Sequence, residues 1–369
     1  MSGKLRVVVL FGGRSGEHEV SLQSAASVIK ALDKEKYEVL PVGITKEGSW
    51  LVGAGPEEVR EHGFGADLLP VTLSCDPQDP RFVPLRAPGP YAGELGKPID
   101  VVFPVLHGTY GEDGSVQGLL ELAGLPYVGG GVASSAAGMD KVLMKKLFAY
   151  HGLPQARFVS VLRRDWEQRP QRVLALVEEE IGYPCFVKPA NLGSSVGISK
   201  AKDREGLVQA LQEAAQYDRK LVVEEFIDGR EIEVSVLGND DPQVSVPGEI
   251  IPCNEFYDYE AKYLAADSKL IIPADLPEPV VAEIRRLAVE AFQAIDCAGM
   301  ARVDFFVGRK DQRVFINEIN TIPGFTRISM YPKLWEAAGL PYPRLLDRLI
   351  ELALERHRDR SRNRYAYMT

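Results

Sequence analysis

The sequence predicts an α/β domain at its N-terminus, doubly wound around a parallel sheet, followed by an α+β region in two parts. Three observations predict this. Residues 5–11 form a run of strand length that is apolar but for Arg6, ended by Gly12, Gly13 and Gly16. Val20, Ala25, Val28, Ile29 and Leu32 then recur at helical spacing. Residues 186–199, FVKPANLGSSVGIS, place a lysine at the end of an apolar strand, then a glycine-serine loop, then a return into a second strand. Residues 231–236 alternate polar and apolar, and Arg302 with Asp304 and Glu318 with Asn320 share the same spacing of two, as antiparallel strands with one polar face do.

The totals fit such a chain. Its 369 residues suffice for about two or three domains, and 45% hydrophobic with 26% charged residues is an ordinary globular balance. With 43 basic against 52 acidic residues the net charge is −9, which argues against nucleic acid as a partner. Cys75, Cys185, Cys253 and Cys297 are scattered without a CxxC pair, so neither a zinc site nor a disulfide framework is expected and a reducing cytoplasm fits. No apolar run approaches the ~18 residues of a membrane span.

Taken in order, the first strand, glycine turn and helix open the N-terminal domain, 1–125. The spacing GGxxG departs from GxGxxG, which speaks against a dinucleotide site. Glu17 falls in the first helical turn, where the positive helix end favours a carboxylate; pairing with a substrate ammonium is the alternative. Residues 37–44 read as a second strand. From 46 to 98 the pattern dissolves among eight prolines, and this stretch is expected to be an insertion with irregular or edge structure that carries no chemistry. Residues 99–106 resume a buried strand and run into HGTYGEDGSVQG, 107–118, ahead of a helix. A strand end opening into a glycine-rich charged loop is where open α/β sheets bind ligands. His107 is there either a ligand contact or a structural hydrogen-bonder.

The central part, 126–219, begins with a linker and a helix over about 135–150, whose Lys141, Lys145 and Lys146 read as a solvated face. A strand at 158–162, a helix at 172–181, the lysine strand and a helix at 207–215 follow. Pro189 forces extended or turn geometry on Lys188, and Gly193 and Gly197 permit close backbone approach. Ser194 and Ser195 between them add hydroxyls and N–H groups that can line phosphate oxygens. The unit fits a flap over a nucleotide; an ordinary hairpin is the alternative. The lysine precedes the glycines, so it is not a P-loop.

The last part, 220–369, starts with LVVEEF, 221–226. Glu231 and Glu233 share a strand face, either solvent-exposed or accepting from a ribose. Residues 254–267, NEFYDYEAKYLAAD, have the composition of a lid that could deliver Lys262 and Tyr263. Arg302 with Asp304, and Glu318 with Asn320, point together from what read as neighbouring antiparallel strands. Hard oxygen ligands converging in this way suit Mg²⁺, with a structural ion-pair network as the alternative. Residues 321–326 form a turn exposing backbone N–H groups. A helix over about 343–356 follows, and then a tail with five arginines between 356 and 364, expected to be solvated and disordered.

Six stretches, GGRSGEHEVS, HGTYGEDGSVQG, VKPANLGSSVG, YDYEAKY, GMARVDFF and FINEINTIPGFT, occur in one order between about 11 and 330. Together they resemble the ATP-grasp ligases, and within them the D-alanine–D-alanine ligase family. The stretch 46–97 and the arginine tail lie outside the resemblance. It implies a two-subdomain ATP-grasp fold after the N-terminal domain, with ATP between the central and C-terminal parts. Lys141 and Lys188 match phosphate-contacting lysines. Ser194, Ser195 and Val196 match the flap, Glu224, Glu225, Phe226 and Ile227 the adenine edge, Glu231 the ribose contact, and Lys262 a γ-phosphate contact. Asp304, Glu318 and Asn320 match ligands of two Mg²⁺ or Mn²⁺ ions. Glu17, supported through Ser194 and Tyr263, would anchor the first D-alanine, with His107 nearby. Arg302 and the Gly324 N–H would form an oxyanion pair, and Ser329 with Met330 would receive the second substrate. The implied activity is ATP-dependent joining of two D-alanines for peptidoglycan synthesis, by a cytoplasmic homodimer. D-Lactate or D-serine as second substrate, or a non-catalytic nucleotide-binding regulator, are the rival readings.

Overall fold

The structure is a computed structural model and describes residues 3–193, 196–251 and 269–364. The N-terminal sheet contains β1 (Leu5–Gly12), β2 (Tyr37–Ile44), β3 (Trp50–Val52), β4 (Leu69–Leu73), β5 (Phe82–Pro84) and β6 (Val101–Pro104), in the order β5-β4-β3-β2-β1-β6. Its helices are α1 (His18–Ala31), α2 (Pro56–His62), α3 (Ala92–Leu95) and α4 (Ser115–Leu122). β1 lies between β2 and β6, parallel to both. Covered on both faces, it needs an uninterrupted apolar run, and Val7 to Phe11 are fully buried.

The parallel sheet is therefore present, but only as three strands. The stretch 46–98 is better ordered than its composition promised. It supplies β3, β4 and β5, all antiparallel, and they extend the sheet to one edge. Val52, Leu69, Val71, Leu73 and Phe82 join the core there. Strands of three to five residues are too short for alternation to stand out among so many prolines.

The central part carries α5 (Val132–Met139), α6 (Lys141–Tyr150), β7 (Phe158–Leu162), α7 (Arg163–Gln168), α8 (Pro170–Glu180), β8 (Cys185–Pro189), β9 (Ser199–Ala201), α9 (Arg204–Tyr217) and β10 (Lys220–Glu225). Its sheet runs β7-β10-β8-β9, every pair antiparallel. A boundary at 219/220 is thus displaced: β10 is an inner strand of the central sheet. Its apolar run of Leu221, Val222 and Val223 is fully buried there.

The last sheet comprises β11 (Gly229–Gly238), β12 (Gln243–Val244), β13 (Gly248–Ile251), β14 (Lys269–Ile271), β15 (Gly299–Gly308) and β16 (Val314–Asn320), with α10 (Glu278–Ala294), α11 (Met330–Ala337) and α12 (Tyr342–Arg360). The order is β14-β13-β11-β15-β16, with β12 beside β11. Ile284, Leu287, Ala288 and Ala291 form the buried stripe of α10 and pack on Ile232, Val234, Val303 and Phe305.

The C-terminal helix returns to the beginning of the chain. Leu345, Leu346, Leu349 and Leu352 of α12 share one core with Val7, Phe11, Val101 and Phe103. Part of the arginine tail, expected to be solvated, is anchored instead. Arg356 donates to the Gly129 and Tyr127 carbonyls and lies 4.5 Å from the Tyr127 ring centre, while Arg360 pairs with Glu121. Among the described residues no helix is long and apolar enough to cross a membrane.

Candidate active site

One wall of the site is built by β15 and β16. Their register sets Arg302 opposite Asn320 and Asp304 opposite Glu318, with an irregularity just after Asp304. The Arg302 guanidinium grips Asp304 with two bonds of 2.7 Å, and its Nε also lies 3.0 Å from Glu233 on β11. The Asn320 amide donates to Asp304 at 3.1 Å. Burial works against the Arg302 charge, but Asp304 and Glu233 outweigh it and hold its pKa well above the usual value. Among the described residues no group of three or more His, Cys, Asp or Glu encloses a metal position. Two carboxylates and an amide oxygen on adjacent strands form the open, all-oxygen set that Mg²⁺ accepts while keeping water and phosphate ligands.

The facing wall carries the lysines. Asp140 caps α6, accepting from Val142 N and Leu143 N at 3.1 and 3.0 Å, and pairs with Lys220. That fixes the start of the helix and with it Lys141, whose Nζ donates to Leu192 O at 2.9 Å and lies 3.6 Å from Glu318. One turn on is Lys145. It is not on a solvated face: it is 1% exposed, with Nζ 3.4 Å from Glu224. The other Glu224 oxygen accepts from Lys188 at 2.9 Å. Burial lowers the Lys145 pKa. For Lys188 burial also opposes the charge, but Glu224 and Glu318 outweigh it and the net direction is upward. Burial likewise resists ionisation of Glu224, and the two lysines overcome it.

Two clefts meet between these walls. The larger, about 420 Å³, is lined by Phe186, Lys188, Glu224 to Ile227, Glu231, Asp304 and Glu318. The smaller, about 190 Å³, is lined by Glu17, His107, Glu112, Lys141, Arg302, Asn320, Gly324, Ser329 and Met330. Ile198, Glu233, Ile250 and Glu318 line both. Lysines from the middle of the chain and the polar strand faces near its end therefore border the same space, as the sequence reading requires.

Within the smaller cleft Glu17 lies where two glycine loops approach. Gly108 has φ +73°, and a Cβ there would meet Ser15; a side chain at Gly193 would run into the Glu17 carboxylate. His107 is locked on both sides. Its Nδ1 donates to Ile322 O at 3.1 Å, so Nε2 accepts from Ser24 at 3.0 Å, and burial lowers its pKa. Glu112 accepts from Gly108 N at 3.1 Å, and burial followed by the Glu17 charge raises its pKa to about 8. Ser329 accepts from Thr326 N at 3.1 Å and faces Gly324. Val196 lies in the turn, its N–H bonded to Gly193 O at 3.3 Å. The Glu225 carboxylate is committed to Arg157 at 2.8 Å. Ser194, Ser195, Lys262 and Tyr263 lie outside the described residues.

Family comparison decides what kind of molecule this is. The description "D-ala D-ala ligase C-terminus" matches residues 147–351, and "D-ala D-ala ligase N-terminus" matches 6–130. The chain belongs to the D-alanine–D-alanine ligase family. The N-terminal match runs through 46–97, so that stretch is family structure and not an insertion outside it. Among the family's curated members, the D-alanine–D-alanine ligase of Natranaerobius thermophilus is 54% identical over 98% of both chains. That of Bacillus cytotoxicus is 52% identical over 98% of this chain and 99% of the relative. Among solved structures, a D-alanine–D-alanine ligase from Coxiella burnetii shares 42% identity at TM-score 0.82, covering 97% and 96%. The VanG D-Ala:D-Ser ligase from Enterococcus faecalis shares 36% at TM-score 0.84, covering 95% and 100%. The family's ATP-grasp fold is the one described here.

For three residues of this site, sequence spacing alone did not give the partners they have. Lys145 is four residues after Lys141 and so on the same helix face, which was the available signal. Glu233 shares a face with Glu231, but only the sheet register brings it to Arg302. Glu112 was visible beside His107, but its enclosure near Glu17 depends on how distant loops pack.

Proposed function

We propose that this chain is an ATP-dependent D-alanine–D-alanine ligase that works through a D-alanyl phosphate. The observation that carries the reading is the shared border of the two clefts at Glu318 and Glu233, with Lys141 and Arg302 beside it. That geometry lets a nucleotide in the larger cleft present its terminal phosphate to an amino acid in the smaller one. Glu17 would hold the ammonium of the first D-alanine, in a pocket walled by His107 and Glu112. Its carboxylate oxygen attacks the γ-phosphorus and ADP leaves. Lys141 and Lys188 would bind the phosphates, with Lys262, Ser194, Ser195 and Val196 closing over them. Asp304, Glu318 and Asn320 would hold two divalent ions, Mg²⁺ or Mn²⁺, which when bound neutralise phosphate charge.

The second D-alanine, its carboxylate at Ser329 and Met330, then attacks the acyl carbon through its amine. The tetrahedral oxyanion would be met by Arg302 and the Gly324 N–H, and its collapse expels phosphate and the amine proton. Losing one such donor can cost ~3 kcal/mol of transition-state stabilisation. Closure of the site would keep water from the acyl phosphate, with Glu17 supported through Ser194 and Tyr263. Adenine would lie along Glu224 to Ile227, in the cleft that Phe186 and Phe226 also line, with the ribose at Glu231. A homodimer supplying peptidoglycan precursor in the cytoplasm belongs to the same reading. Phosphate release with Mg²⁺, ATP and D-alanine, run in parallel with D-lactate and D-serine as second substrate, tests it. Release with D-alanine alone is expected; release requiring D-serine would move the chain to the specificity in the VanG name, and none at all would favour a non-catalytic nucleotide binder.

A further inference from the structure

Resting on the nucleotide reading of the larger cleft, we infer that Lys145 is a positioning residue for the nucleotide, acting through Glu224 on Lys188. Lys145 touches neither cleft. Its side chain is 1% exposed, its ammonium lies 5.7 Å from the Phe158 ring centre, and among the described residues it has an ion pair but no well-aligned hydrogen bond. Its ion pair is with the Glu224 oxygen that Lys188 leaves open, at 3.4 Å against 2.9 Å for Lys188. A buried ammonium is costly unless paired, so an α-helix facing an apolar core would be better served here by methionine. The arrangement makes sense as charge division. Two ammonium groups share the Glu224 carboxylate, so it does not cancel the Lys188 charge one for one at the floor of a cleft that Glu231 and Glu318 also line. With Lys145 absent, Glu224 would pair one-to-one with Lys188 and cancel the charge that Lys188 presents to phosphate.

The test compares wild type, Lys145→Met, Glu224→Gln and the double variant, using calorimetric binding of ADP with Mg²⁺ and the KM for ATP. Lys145→Met is expected to weaken ADP binding and raise the KM for ATP about tenfold. Its kcat at saturating ATP should stay within about threefold, and its KM for D-alanine should not move. In the Glu224→Gln background the same change should add less than twofold, because the carboxylate it works through is gone. A lowered melting temperature with unchanged ADP affinity would overturn the inference and leave a purely structural lysine. So would a further tenfold loss from Glu224→Gln to the double variant. That second comparison stands even where Lys145→Met alone does not fold, since both of its variants lack the Glu224 charge and in both Lys188 keeps the charges of Glu318 and Glu231 near it. A wild type that binds ADP without ligating would remove the proposed function and leave this inference readable; a wild type that binds no adenine nucleotide would remove both.

Discussion

Arg302 is clamped by Asp304 and Glu233, so replacing it affects both the proposed oxyanion position and two carboxylates that it neutralises. Arg302→Ala is expected to lower kcat by about two to three orders of magnitude, the size of a lost oxyanion donor, with a far smaller change in the KM for ATP. A variant whose only defect is ATP binding would show that Arg302 serves the nucleotide instead. Glu112 makes a second residue-level prediction. Its folded pKa of about 8 lies above the ordinary carboxylate value, so the proton favours the folded state. The contribution is complete below the unfolded pKa and is lost as pH rises from there through about 8. Between pH 5 and 8 the ligand-free wild type should therefore lose stability relative to Glu112→Gln, by up to ~1.4 kcal/mol per pH unit. Parallel stability curves for the two proteins, from urea unfolding at each pH, would show that Glu112 is ionised throughout.

At the scale of elements, α6 and α12 have the most to lose from single changes. Asp140 closes two N–H groups at the start of α6 and holds Lys220. Asp140→Ala should cost ~1–2 kcal/mol of stability, measured in urea, and should also raise the KM for ATP because Lys141 begins that helix. Unchanged nucleotide kinetics would mean that Lys141 keeps its place without the cap. Leu349 of α12 is fully buried in the N-terminal core, and Leu349→Ala should cost ~2–5 kcal/mol. The loss should appear in the N-terminal sheet, read by faster hydrogen exchange in β1 and β6, although the residue lies near the other end of the chain. Exchange unchanged in those strands would contradict the shared core.

At the scale of the molecule, the clefts exist only because sheets from three stretches of chain face one another. A ligand that bridges them stabilises the assembly by mass action, ~2.7 kcal/mol at a hundredfold excess over its Kd. ADP with Mg²⁺ is therefore expected to raise the melting temperature of wild type and much less that of Lys188→Met; equal shifts would place the nucleotide elsewhere. Some of this organisation could be read directly from the chain. The run at Val7–Phe11 announces a doubly covered strand, and the i, i+2 spacing of Arg302, Asp304, Glu318 and Asn320 announces one polar face on two strands. The glycine loop after Lys188 announces a close backbone approach.

The sequence by itself determined what is local or periodic: the first strand and its glycine turn, the lysine strand, the metal-compatible face, and, through six ordered motifs, the family. Only the tertiary structure decided which strands pair and which charges are buried. It placed β10 inside the central sheet, drew β3 to β5 out of a proline-rich stretch, and returned α12 to the first core. It also turned Lys145 inward to Glu224. Pairing and desolvation depend on neighbours far away in the chain, and a lysine toward solvent and a lysine toward a buried carboxylate are the same letter at the same helical spacing.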